Sequence, residues 1–127
     1  MHGDDARIEA IIQALYDHGV ELAVTAHDHN YQRFPALDPS GTGDAKGVRQ
    51  FIVGTGGAYL YDFNTVDPRA EARSRSFGVL KLLLRPNAYD WEFLTDPGGI
   101  NPSFTDSGTG SCHTPATSPS PSPSPSP

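Results

Sequence analysis

Ile8, Ile11, Ile12 and Leu15 recur three and four positions apart and form one apolar stripe. Asp4 or Asp5 stands ahead of them as a cap that accepts bonds from free N–H groups, and Gly19 follows as a stop. The spacing predicts an amphipathic helix over residues 5–18. The run Glu21-Leu22-Ala23-Val24-Thr25-Ala26 comes next and reads as a short buried strand. It breaks off at a polar cluster, His27-Asp28-His29-Asn30-Tyr31. A helix, a glycine turn and a buried strand make up the grammar of a layered α/β domain. Ligands in such sheets bind beyond the carboxyl ends of strands, which is where the polar cluster falls.

Residues 35–47 hold two prolines and three glycines and are expected to form a loop. Val48 to Val53 is a second apolar run, closing on Gly54-Thr55-Gly56-Gly57. Residues 62–75 are polar and read as loop. Phe77 and the run Val79-Leu80-Lys81-Leu82-Leu83-Leu84 predict a third strand, and Arg85-Pro86-Asn87 a turn. Tyr89, Trp91 and Phe93 then alternate with Asp90 and Glu92, giving a strand with one aromatic face and, with its predecessor, an antiparallel hairpin. That face is expected in the core, because aromatic burial dominates core energetics. From Pro97 the pattern dissolves. Residues 118–127 are an unbroken Ser-Pro repeat, expected to be a disordered, polyproline-like spacer. The organisation read from this is one partial domain over residues 1–113 and a Ser/Pro-rich linker or tail over 114–127.

Composition narrows the function classes. Nine basic residues are scattered among fifteen acidic ones, for a net charge of −6, so a nucleic-acid partner is not expected. No stretch reaches the ~20 apolar residues needed to span a bilayer. No secretion signal opens the chain; His2-Gly3-Asp4-Asp5 follows Met1 at once, an abrupt start for a domain. The single cysteine, Cys112, reads equally well as a surface thiol or as half of a bond to something outside this segment.

The chemistry-bearing cluster is His27-x-His29. Two imidazoles at this spacing in a loop can diverge toward two neighbouring metal ions, although a surface loop with incidental histidines fits the spacing as well. Gly54-Thr55-Gly56-Gly57 lacks the Gly-Lys-Ser/Thr ending of a phosphate loop; a turn with close backbone approach is the expected role. His18 falls in the last helical turn, where the helix dipole favours a cation, and its role reads as structural. His113 borders the Ser/Pro-rich tail, with no specific role expected.

These residues bear a resemblance. Ala26-His27-Asp28-His29-Asn30-Tyr31-Gln32-Arg33-Phe34 resembles the Gly-His-x-His closing motif of the calcineurin-like metallophosphoesterases, in the Asn-Tyr-Glu-Arg version typical of purple acid phosphatases and their bacterial relatives. The segments Ala14-Leu15-Tyr16-Asp17-His18-Gly19, Phe51-Ile52-Val53-Gly54-Thr55-Gly56-Gly57 and Phe77-Gly78-Val79-Leu80-Lys81-Leu82 look like that group too. Phe104-Thr105-Asp106-Ser107-Gly108-Thr109-Gly110-Ser111-Cys112-His113 resembles secreted bacterial members.

The resemblance implies an αββα sandwich of which residues 1–113 form the C-terminal half. It implies a binuclear Fe, Zn or Mn centre, with His27 on one ion and His29 on the other, acting on a small phosphate ester. His2 matches a histidine that contacts substrate or leaving group and could pass a proton to the leaving oxygen. It further implies an exported parent protein, with Cys112 paired to a cysteine elsewhere. Ala26 and Gln32 depart from the family's glycine and glutamate. The family's earlier Asp-x-His, Gly-Asp-x-x-Asp and Gly-Asn-His blocks have no counterpart here, so the chain is expected to be inactive alone. Its half-sheet would leave unpaired edges that invite association. The alternatives are a non-catalytic cell-wall or carbohydrate-associated module on a Ser-Pro stalk, with Trp91 as its contact, and a degenerate homologue that keeps the fold without the metals.

Overall fold

The computed structural model describes residues 6–113. His2, the capping candidates Asp4 and Asp5, and the Ser-Pro repeat lie outside the described residues. Helix α1 spans Ala6–Asp17. It ends as the sequence predicts: Gly19 takes φ 65°, and the N–H groups of Gly19 and Val20 reach back to the carbonyls of Tyr16 and Leu15. His18 also serves this end, its Nδ1 lying 2.9 Å from the Ala14 carbonyl oxygen. The apolar stripe forms but is only partly covered. Ile8 and Ile11 stay 49% and 55% exposed, while Ile12 and Leu15 are half-buried.

Among the described residues, seven strands make two sheets. The first contains β1 (Leu22–Thr25), β2 (Tyr31–Leu37), β3 (Val48–Val53) and β4 (Ala72–Ser74), in the order β1-β3-β2-β4. β1 runs parallel to β3, and the other pairs are antiparallel. The second sheet is antiparallel throughout: β5 (Gly78–Leu84), β6 (Ala88–Thr95) and β7 (Asp106–Ser111). The hairpin of β5 and β6 is the expected one, with Leu80 opposite Phe93 and Leu82 opposite Trp91.

Three expectations are corrected. Residues 31–37 form a strand, although Pro35 lacks the N–H that a central strand needs. The register of β2 against β3 shifts between Arg33 and Ala36, so a bulge absorbs the proline. Residues 72–74 add a short strand within the polar stretch read as loop. Residues 106–111, where the pattern dissolves, pair with residues 88–93 of β6. The architecture is therefore mostly strand with one described helix. It is part of a sandwich rather than the four-layer αββα arrangement in full.

Tyr31 and Phe51 from the first sheet meet Tyr89, Trp91 and Phe93 from the second, and all five are buried. Tyr31 lies 4.2 Å from Phe93 between ring centroids, and Phe51 meets Trp91 edge-on at 5.8 Å. Such offset and edge contacts suit the ring quadrupoles. Trp91 also lies near two guanidinium groups, Arg33 and Arg49, each 5.0 Å from its centroid. The expectation that the aromatic face of β6 belongs to the core holds.

β7 has no large apolar residue, and its stability comes from its neighbours. A Cβ at Gly108 would lie 2.3 Å from Trp91, and one at Gly110 2.2 Å from Tyr89, so the glycines let both rings lie against the backbone. Its first residue, Asp106, accepts from the Tyr31 hydroxyl at 2.6 Å and from Arg33 Nε at 2.8 Å and Nη2 at 3.0 Å. Just past its end, the His113 backbone N–H donates to Glu21, and the imidazole Nε2 lies 3.3 Å from the same carboxylate. His113 therefore has a structural partner that its place beside the tail did not suggest. β7 is fastened to the first sheet at both ends.

Candidate functional site

Because β1 and β3 are parallel, the segments that follow them, 26–30 and 54–57, leave the sheet at the same end. This is the carboxyl end, where sheet folds place ligands. The backbone then fixes the histidine loop. Asn30 N–H donates to the Asp28 carbonyl at 2.9 Å, Gly54 N–H to the Asn30 carbonyl at 3.1 Å, and Tyr61 N–H to the His29 carbonyl at 2.8 Å. Gly54 lies so close beneath the loop that a Cβ would stand 2.0 Å from the Asp28 carbonyl oxygen. The glycine run is thus the turn with close backbone approach that the sequence suggests. Thr55 anchors it from below: its side chain is buried and donates to the Gly78 carbonyl at 2.8 Å.

His29 is held on three sides. Its Nδ1 lies 2.8 Å from the Tyr59 carbonyl oxygen. A carbonyl can only accept, so Nδ1 carries the proton and the neutral ring keeps its lone pair on Nε2. The ring stacks on Tyr61 at 4.3 Å and 12°, and meets Tyr59 edge-on at 5.3 Å. Metal-binding histidines are oriented in this way, with the second nitrogen donating to a carbonyl or carboxylate. The chemistry of His29 therefore fits one ligand position. His27 is exposed on the other side of Asp28. Asp28 is half-buried, and one of its carboxylate oxygens is sealed from solvent without a protein donor.

The donor set goes no further. Among the described residues, no three His, Cys, Asp or Glu side chains gather where they could hold a metal ion. His27 and His29 do not make up a binuclear centre between them. His2, the candidate proton donor, lies outside the described residues.

Sequence reasoning passed over two residues here. Tyr59 and Tyr61 follow the glycine turn as a Tyr-x-Tyr pair, and their hydroxyls are 3.5 Å apart. An alternating aromatic pair directly after a strand-end glycine run was the available signal. The hydrogen bond between the two hydroxyls is the main influence raising the Tyr61 pKa. With Asp28, Asn30 and Gln32 the two tyrosines line a cleft of about 400 Å³.

The fold resembles part of a solved purple acid phosphatase. That structure, from yellow lupin (Lupinus luteus) seeds, matches with a TM-score of 0.63 and 21% sequence identity. The match covers 83% of this chain and 19% of the lupin chain, and at that identity it is a likeness of fold. No protein-family model matches the chain, and no curated protein matches it. No helix among the described residues is long and apolar enough to cross a membrane.

Proposed function

We propose that this chain is the ligand-loop and C-terminal portion of a metal-dependent phosphoesterase. In this reading His27 and His29 supply two donors to a binuclear Fe, Zn or Mn centre whose remaining donors come from outside the described residues. The observation that carries it is the Tyr59 carbonyl on His29 Nδ1, which leaves Nε2 as the donor nitrogen at the carboxyl end of a parallel strand pair. The fold likeness to a phosphatase supports the reaction class. His2 belongs to the same proposal as the group that passes a proton to the leaving oxygen.

The chain by itself is expected to be inactive, since two imidazoles leave a metal pair short of ligands. The test is p-nitrophenyl phosphate turnover with added Fe, Zn or Mn, on this chain and on a form extended upstream. Turnover confined to the extended form supports the proposal. Its absence from both counts against it. The same reading makes the parent an exported protein in which Cys112 is bonded; thiol labelling of that parent finds Cys112 blocked, and a free group removes this part.

The alternative of a carbohydrate module built on Trp91 loses its contact surface. Trp91 is 7% exposed and packed between the sheets.

A further inference from the structure

The cleft beside His29 has a chemistry of its own. Tyr59 forms one wall and is 73% exposed. Its two aromatic neighbours, His29 and Tyr61, meet it at 77° and 65°, so neither lies parallel to its ring. An exposed aromatic ring with an open face is a platform for a flat, weakly apolar surface. Around it stand acceptors and amides rather than cations. Asp28, Asn30, Gln32, Tyr61 and Asn64 line the cleft with it. Asp62 lines it too, but Arg75 holds that carboxylate at 2.7 Å, and among the described residues neither Arg75 nor any other basic residue forms part of the lining.

This arrangement selects against anions. A phosphate or carboxylate entering the cleft would meet the Asp28 carboxylate with no lining cation among the described residues to offset it. It favours a group that donates several hydrogen bonds while presenting a C–H face. Asp28 brings a half-buried carboxylate to the lining, and a carboxylate accepts from hydroxyls. Asn30 and Gln32 are already joined, Gln32 Nε2 donating to Asn30 Oδ1 at 3.0 Å, which fixes the orientation of both amides at the floor. A sugar ring has both properties: hydroxyls at its edge and C–H bonds on its face. A volume near 400 Å³ accommodates one such ring and its hydration.

We propose that this cleft is a subsite for one uncharged sugar ring, stacked on Tyr59 and hydrogen-bonded to Asp28 and the neighbouring amides. Where the phosphoesterase reading holds, the ring is the leaving group of the ester; that clause rests on the reading above, and the subsite itself does not. Sugar contact would thus be made at Tyr59 and not at Trp91.

The test uses this chain without metal. Methyl α-glucoside, methyl α-mannoside and methyl β-galactoside are offered at millimolar concentration, with saturation-transfer and protein-amide NMR as readouts. Expected are saturation transfer to at least one glycoside and shifts at the amides of Asp28, Asn30, Tyr59 and Tyr61. Tyr59→Ala should weaken binding roughly fivefold or more, while Tyr59→Phe, which keeps the ring, should bind nearly as the parent does. The exposed position of Tyr59 makes both variants compatible with the fold, which the amide spectrum checks. No transfer to any of the three glycosides overturns the proposal. So does Tyr59→Ala binding as tightly as the parent, or inorganic phosphate moving these amides when the glycosides do not. Phosphate-ester turnover plays no part in the readout, so a failure here and a failure of the phosphoesterase reading are distinguishable.

Discussion

Replacing Asp106 by Asn tests the fastening between the two sheets. Asp106 accepts from the Tyr31 hydroxyl and takes two of the Arg33 N–H groups. The Arg33 and Asp106 side chains are 13% and 9% exposed, so water replaces little of what is lost. Removing one partner of a buried ion pair costs about 3–5 kcal/mol, because the other charge is left behind. Glu71 still pairs with Arg33, and the amide keeps one acceptor, so the expected loss is near the lower end, about 3 kcal/mol. The comparison variant is Asp90→Asn, which breaks a pair with Arg85 whose side chains are 47% and 32% exposed. There the expected loss is at most about 1 kcal/mol. Urea unfolding at neutral pH, followed by Trp91 fluorescence, measures both. Losses that agree within about 0.5 kcal/mol would refute the reasoning, since burial is what separates the two pairs.

The same carboxylate sets a pH dependence. Burial acts to raise its pKa, but hydrogen bonds from Arg33 and Tyr31 outweigh burial and hold it below the ordinary value. A carboxylate depressed in the folded state contributes stability that is complete above the unfolded pKa, about 3.9, and is lost as the pH falls through the folded value. The gap between parent and Asp106→Asn should therefore be full near pH 5 and shrink below about pH 4. Tyr31 moves the other way, its pKa raised first by burial and then by the hydrogen bond to Asp106, so it stays protonated and donating throughout this range.

Gly108→Ala should cost about 1–3 kcal/mol by overpacking, since the new methyl would lie 2.3 Å from the Trp91 ring; unfolding followed by circular dichroism measures it, and a neutral result would mean that β7 does not press on Trp91. Gly54→Ala places a methyl 2.0 Å from the Asp28 carbonyl oxygen and should displace the histidine loop, seen as amide shift changes concentrated at residues 26–30 and 59–61; shifts confined to the neighbours of residue 54 would contradict the close packing. Phe51→Ala empties a fully buried position against Trp91 and should cost about 3–5 kcal/mol in the same urea assay, with a loss under about 1 kcal/mol incompatible with the packed interface.

The elements that could be read from the sequence are those whose periodicity matches their burial. The strand Val48–Val53 is found at the expected bounds, and the hairpin of β5 and β6 follows the alternation of Leu80 and Leu82 with exposed neighbours. The helix is also legible, but the stripe suggested a buried face, and Ile8 and Ile11 are about half exposed. β2 was hidden by Pro35, since a bulge cannot be inferred from a single proline. β7 was hidden because Asp-Ser-Gly-Thr-Gly-Ser carries no strand signal; it pairs because Tyr89 and Trp91 need glycine backbone beside them and Asp106 has Arg33 to meet. At the site, the position of His27 and His29 past a strand end was legible. The carbonyl and aromatic supports of His29 come from thirty residues away and required the fold.

The pairing of His27 and His29 with a metal centre is tested most directly by metal content. A form of the protein extended upstream, loaded with iron, zinc or manganese and then dialysed, should retain metal with the parent sequence and lose most of it when both histidines are alanine. Retention of the full metal content by the double variant, with its fold intact, would contradict their role as ligands.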